Sequence, residues 1–346
     1  MKRMCNPHHP RHLRHLRSPA ARPRTLLAGL LTGLLAAVLG TATPAFAQTY
    51  PDRPLRVVNG FAAGGGSDIL LRTLLPKWSE LLGQPIVVDY RTGAGGNVAM
   101  EAVAKAAPDG YTLLMGSPGL ATNSSLYGNL SFDPLRDFAP ISLVGTVPNV
   151  LVVHASLNLP GVRELIALAK VQPGKLNYAS PGTGTSLHLA AELFKLSAGV
   201  DMVHVPYKGG GQAQTDVVAG QVHLMFNVLP SALPLIRSGR LKALAVTSRN
   251  RSEALTEVPT MIEAGVADYT AVTWNGIVAP AGTPPAIIRK LNDALVATVR
   301  APETREQFAK IGQEQAWSTP EEFAAFIRDE TVKWRRVIQA ANIKAQ

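Results

Sequence analysis

The chain has 346 residues, 46% of them apolar and 17% charged, which allows a sizeable core and excludes a disordered polymer. Its formal charge of +10 is concentrated in the first 47 residues, which carry Lys2, Arg3, Arg11, Arg14, Arg17, Arg22 and Arg24 and no acid. The remainder holds 27 Lys and Arg against 24 Asp and Glu, so nothing in it argues for nucleic acid or another polyanion as partner.

In chain order, the first predicted element is an export signal. A basic stretch ends at Arg24, an apolar run follows from Leu26 to about Leu39, and Ala45-Phe46-Ala47 supplies a small-x-small cleavage site after Ala47. The apolar run is short for a membrane span, and the Ala-x-Ala ending decides against an uncleaved anchor. The only cysteine, Cys5, leaves with this segment. Disulfides, thiolate catalysis and cysteine-based metal sites are thereby excluded from 48–346.

The body alternates strand-like and helix-like stretches. Strands are predicted at 55–61, 86–89 and 112–115, with helices at 67–82, ended near Gly83, and at 97–106. Helices at 162–171, 185–198 and 212–219 then alternate with strands at 176–179, 203–205, 222–226 and 241–247. The C-terminal third reads as mostly helical. Thr283 before Pro284 reads as an N-cap, and Thr319-Pro320-Glu321-Glu322 as a capping box opening a last helix that runs to about Ala340. The alternation predicts an α/β fold with mainly parallel strands. Two extended passages, 139–154 and 269–280, suit a chain that crosses twice between lobes. The expected lobes are a discontinuous one, 48–148 plus 273–346, and a continuous one, 149–272.

Two strand-to-helix loops carry the chemistry. The first is Phe61-Ala62-Ala63-Gly64-Gly65-Gly66-Ser67-Asp68. Its glycines permit a tight turn and a close backbone approach, and the helix start behind it offers unpaired N–H groups at the positive end of a dipole. That arrangement binds carboxylates and other anions, unless Ser67 or Asp68 simply caps the helix. The second is Ser180-Pro181-Gly182-Thr183-Gly184-Thr185-Ser186, which adds hydroxyl donors. A third loop, 92–97, lines a cleft rim or packs a helix.

Competing motifs fail on spacing. A dinucleotide fingerprint would need glycine at Ile69, Val98 or Leu187. Gly174-Lys175 is followed by Leu176 rather than Ser or Thr, and no Gly-x-Ser-x-Gly elbow occurs. His188 lies two residues after Ser186, so on a helix the two face different ways and form no dyad. His154, His204 and His223 are scattered without metal-ligand spacing. Tyr207 and Lys208 follow a strand, and Ser117 lies in a loop, 116–120, placed to line a cleft. Trp274, in the second crossing, either floors the cleft or anchors the hinge.

Further segments complete a pattern: YPxRPLR from Tyr50, GAGGN from Gly93, PDGYTLL from Pro108, PLRDFAPISLV from Pro134, PGKLNYASPGTGTSLHLAAELFK from Pro173, VHVPYKGGG from Val203, GQVHLMF from Gly220, LKALAVTS from Leu241, VPTMIEAG from Val258 and APAGTPP from Ala279. In this order they resemble the Bug-type extracytoplasmic solute receptors, the substrate-binding components of tripartite tricarboxylate transporters. The resemblance implies a two-lobed periplasmic-binding-protein fold (type II-like) in a periplasmic, monomeric protein. It implies binding without catalysis, cofactor or metal. A small carboxylate would be held between Phe61–Asp68 and Ser180–Ser186 with His188, and Ser117, Tyr207 and Trp274 complete the expected site. The partner would be a two-component membrane permease of the tripartite tricarboxylate type, or a sensor kinase. An exported carboxylate-processing enzyme is the remote alternative, and no nucleophile, base and donor set proposes one. The sequence departs from the family pattern at Asn59, at Asp89-Tyr90-Arg91-Thr92, and at His223 and Asn227. A neutral Asn227 lining the cleft would disfavour an α-amino acid ligand.

Overall fold

Two mixed sheets organise residues 50–344, the part of the chain that the computed structural model describes. The expected export signal and its cleavage site at Ala47 lie outside the described residues. The first sheet contains β1 (Leu55–Asn59), β2 (Ile86–Tyr90), β3 (Thr112–Gly116) and β4 (Phe138–Val147). Across Pro148 the chain enters the second sheet as β5 (Asn149–His154), followed by β6 (Asn177–Ser180), β7 (Val203–Pro206), β8 (Leu224–Val228) and β9 (Leu241–Val246). It returns to the first sheet as β10 (Thr273–Pro280) and β11 (Glu314–Gln315). The strand orders are β11-β4-β10-β3-β1-β2 and β7-β6-β8-β5-β9.

The helices are α1 (Gly66–Leu82), α2 (Asn97–Ala104), α3 (Gly119–Leu126), α4 (Val162–Val171), α5 (Ser186–Ala198), α6 (Gly210–Val218), α7 (Leu229–Arg237), α8 (Pro285–Arg300), α9 (Pro302–Lys310) and α10 (Pro320–Ala340). The central strands are buried on both faces, which explains why they read as continuous apolar runs. Val150 and Val152 of β5 enter one core cluster while Leu151 and Val153 enter another. In β1, Val57 and Val58 divide the same way.

The expectation of mainly parallel strands needs correction. β1–β2, β1–β3, β6–β7 and β6–β8 are parallel, but β10 runs antiparallel to β3 and β4, and β5 antiparallel to β8 and β9. The crossing strands cause this. A strand arriving from the other sheet starts at the end where its neighbours finish, so it must run against them.

The capping box forms as read: Glu322 N donates to Thr319 Oγ1 at 3.1 Å and Thr319 N to Glu322 Oε2 at 2.9 Å. Thr283 is not the cap of α8. Pro284 takes that position, and the Thr283 hydroxyl turns back to Pro280 O. Two helices escaped the sequence reading. Most of α3 is buried, so it lacks a polar stripe, and α7 contains Pro230 and Pro234.

The last helix joins the two halves of the core. α10 packs against α3 and β4 and also against α5, and its Phe323, Ile327 and Trp334 belong to a cluster that includes strands of both sheets. Gly276 is required for this packing, because a Cβ there would lie 2.2 Å from the Phe323 ring.

Candidate functional site

A cavity of about 740 Å³ opens where helices from both sheets begin. Its wall includes the starts of α1 (Gly65, Gly66, Ser67), α3 (Ser117, Pro118, Gly119), α5 (Thr183, Gly184, Thr185, Ser186) and α7 (Val228, Pro230). Each helix start concentrates about half a positive charge on N–H groups that the helix itself cannot satisfy. Gly65 caps α1 without a side-chain bond, which leaves first-turn donors unclaimed among the described residues. At α5 the Thr185 hydroxyl accepts from His188 N, leaving Ser186 N and Leu187 N. Among the described residues no Asp, Glu, Lys, Arg or His lines the cavity. The rest of the wall is Asn, Thr, Ser and Gln amides and hydroxyls among apolar surface from Phe61, Ile69, Leu126, Leu189, Ile311 and Trp334. Such a site attracts an anion by oriented dipoles and holds it without a fixed countercharge.

The first loop is shaped by two side chains below it. Asn59, fully buried, accepts from Phe61 N at 3.1 Å and from the Ser67 hydroxyl at 3.3 Å. Asp68, in the first turn of α1, accepts from Gly64 N at 2.7 Å, and Arg72 and the Tyr90 hydroxyl both donate to its carboxylate. Burial alone would raise the Asp68 carboxyl, but the bonds from Gly64, Tyr90 and Arg72 override it and hold the group below the usual carboxylate range. Tyr90, one of the departures from the family pattern, thus serves the loop.

The second loop rests on a different support. Ser180 Oγ lies 2.7 Å from His204 Nε2 and accepts from Gly182 N at 3.2 Å. Gly184 N donates to His188 Nδ1 at 3.0 Å. The two imidazoles stack with centroids 3.8 Å apart and 13° between planes, and Tyr178 stacks on His204 at 5.0 Å. Burial, then the neighbouring His204 and Lys195, push the His188 pKa down to about 3. Burial also lowers that of His204.

Half of the expected site residues reach the cavity: Phe61, Gly65, Gly66, Ser67, Ser117, Thr183, Gly184, Thr185 and Ser186. Ala62 and Ala63 are exposed beside it, and Gly64 makes the turn at φ +80°. Asp68, Ser180, Gly182 and His188 support the loops from behind. The Tyr207 hydroxyl donates to Asp216 at 2.6 Å, and burial with this bond pushes its pKa up to about 12. Trp274 is fully buried, edge-on to Phe323 and Phe326, and so anchors the crossing instead of flooring the cleft. Asn227 Nδ2 donates to Gln214 Oε1, and Asn227 is absent from the lining, which removes the reason for a charge effect there. Lys208 is exposed.

Sequence reasoning missed Asn123, Asn275, Gln313 and Trp334. Only the Ser117-Pro118 pair, a helix-start signal, pointed toward the α3 wall. Among the described residues no cluster of three His, Cys, Asp or Glu could hold a metal, and no helix is long and apolar enough to cross a membrane.

The chain is similar to known proteins along most of its length. Residues 70–343 match the model of the tripartite tricarboxylate transporter family receptor. The protein BugT of Bordetella pertussis is 39% identical over 314 residues, 90% of this chain and 96% of that one. The periplasmic binding protein BugD superposes with a TM-score of 0.68 at 34% identity, covering 86% of this chain and 100% of that one. An R. palustris protein solved with adipate gives a TM-score of 0.72 at 37% identity, over 85% and 99% of the two chains.

Proposed function

The chain belongs to the family of tripartite tricarboxylate transporter receptors, which are solute-binding proteins and not enzymes, and from that premise we propose that it captures a small carboxylate in the 740 Å³ cavity. One carboxylate group sits between the α1 and α5 helix starts, on the N–H groups of the first loop and the N–H and hydroxyl groups of Thr183–Ser186. The two sheets act as lobes, 48–148 plus 273–346 and 149–272, that close on the ligand about Pro148 and the 272–273 passage. The protein works in the periplasm after cleavage at Ala47, and its closed form hands the ligand to a two-component membrane permease. A sensor kinase is the alternative receiver, since both would read the same closed surface.

The observation that carries this reading is a wall in which four helix N-termini meet and which, among the described residues, holds no charged side chain. Neutral donors bind a carboxylate and release it without breaking a salt bridge. With no carboxylate in the wall, an α-ammonium group would lack an anionic partner, so plain di-, tri- or aromatic carboxylates fit better than amino acids.

A thermal-shift screen of the purified protein against citrate, C4 dicarboxylates, adipate, acidic amino acids and benzoates tests the proposal. A ligand at about 100 times its Kd adds roughly 2.7 kcal/mol to stability. A hit recovered chemically unchanged supports the receptor. A flat response to every carboxylate, or conversion of the hit, overturns it.

A further inference from the structure

Gly182 (φ +145°) and Gly184 (φ +78°) give the second loop a backbone that few side chains constrain. Two imidazoles supply the constraint. His188, on α5, reaches back to Gly184 N, while His204, on β7, reaches across to Ser180 Oγ, which bonds to both the N–H and the carbonyl of Gly182. The bond from Gly184 fixes the tautomer: Nδ1 of His188 is the acceptor, so its proton sits on Nε2. Protonation would turn Nδ1 into a second donor facing an N–H, and would place a cation 3.8 Å from the neighbouring ring.

Burial keeps the pair neutral, against Glu192, which favours a proton on His204. Glu192 of α5 is already engaged by the Tyr178 hydroxyl and by Lys195 Nζ at 2.9 Å. Lys195 and Lys344 line the same groove as the two histidines, and the residues of α10 that face it, Val337 and Ala340, are uncharged.

We infer that His188 and His204 are positioning residues, a stacked neutral pair that fixes the loop shape presenting Thr183–Ser186 to the ligand, and that protonating the pair loosens the grip. This rests on the reading that the loop grips a carboxylate. Neither ring lines the cavity at the helix starts, so both act through the loop backbone.

The test follows the ¹⁵N-labelled protein by NMR from pH 8 to acid, with adipate titrations at each pH. The Gly184 and Gly182 amide signals are expected to move together with the two imidazoles, below the ordinary histidine range of about 6.5. Adipate affinity should fall over that same interval. His188→Ala should weaken adipate binding about five- to tenfold at pH 7, the worth of one hydrogen bond. His188→Asn, which offers an acceptor near the same place and cannot titrate, should recover most of that loss and flatten the Gly184 pH profile. A wild-type Gly184 amide that stays still while His188 titrates overturns the proposal, whatever the variants do. Equal losses in the Ala and Asn variants, with unchanged pH profiles, overturn it too. Amides that titrate as expected in a protein that binds no carboxylate keep the positioning role and remove the receptor reading.

Discussion

The two glycine-rich loops at the cavity wall solve one problem in two ways. Each must expose backbone donors, so each is glycine-rich, and each must then be held still from behind. The α1 loop uses a charge: Asp68 accepts from Gly64 N and from the Tyr90 hydroxyl, and Arg72 pairs with it from the more exposed side. The α5 loop uses neutral imidazoles packed on Tyr178. The difference follows from surroundings. The Arg72 side chain is 58% exposed, so its charge stays hydrated while it pairs with Asp68. His188 sits 3% exposed among stacked rings, where a charge would be costly.

The largest expected break in this comparison is Asp68→Ala. It strands Gly64 N and the Tyr90 hydroxyl and should cost about 2–3 kcal/mol in urea unfolding, the range for hydrogen bonds to a charged group. Asp68→Asn should cost less, because one acceptor remains for Gly64.

Acid should separate the loops next. A histidine whose pKa is depressed in the fold binds its proton more readily in the unfolded chain. Stability is therefore intact above about pH 6.5 and falls below it by about 1.4 kcal/mol per pH unit for such a group, until the folded value near 3 for His188 is reached. The Asp68 contribution should persist through the upper part of that window, down to about pH 4. Its pKa is lowered, so its share is present above the unfolded value of about 3.9 and is lost only as pH falls through the folded one. Unfolding measured at pH 7, 5 and 4 should thus show a slope that His188→Asn reduces and Asp68→Asn leaves in place down to about pH 4.

Smaller effects sharpen the comparison at the donors. Ser186→Ala should weaken adipate binding by about two- to tenfold without changing stability by more than about 0.5 kcal/mol, as read by calorimetric titration and thermal melts. Gly64→Ala acts on the backbone of the first loop instead. Nothing lies within 4 Å of the added Cβ, so only the left-handed backbone at φ +80° is penalised, at about 1 kcal/mol of stability.

Much of this was legible from local signals. Alternating apolar runs place most strands and helices, Thr319 and Glu322 announce the last helix, and the two glycine-rich loops stand out by composition. Helix α3 was not legible, because Leu120, Ala121, Thr122, Asn123 and Leu126 are all buried and leave no stripe. The roles of Asp68, His188, Tyr207 and Trp274 were not legible either. Each sits near a loop or crossing in sequence, and only the packing around it shows that it faces away from the cavity.

The sequence by itself determined the α/β alternation, the loop backbones and the family pattern, because torsion preferences, caps and periodicity act over a few residues. Tertiary structure decided which strands run antiparallel, which half of the candidate residues share a wall, and that Gln313 and Trp334 join them. Those outcomes depend on contacts between segments far apart in the chain. No local preference encodes them, and they exist only when the two sheets and α10 are packed together.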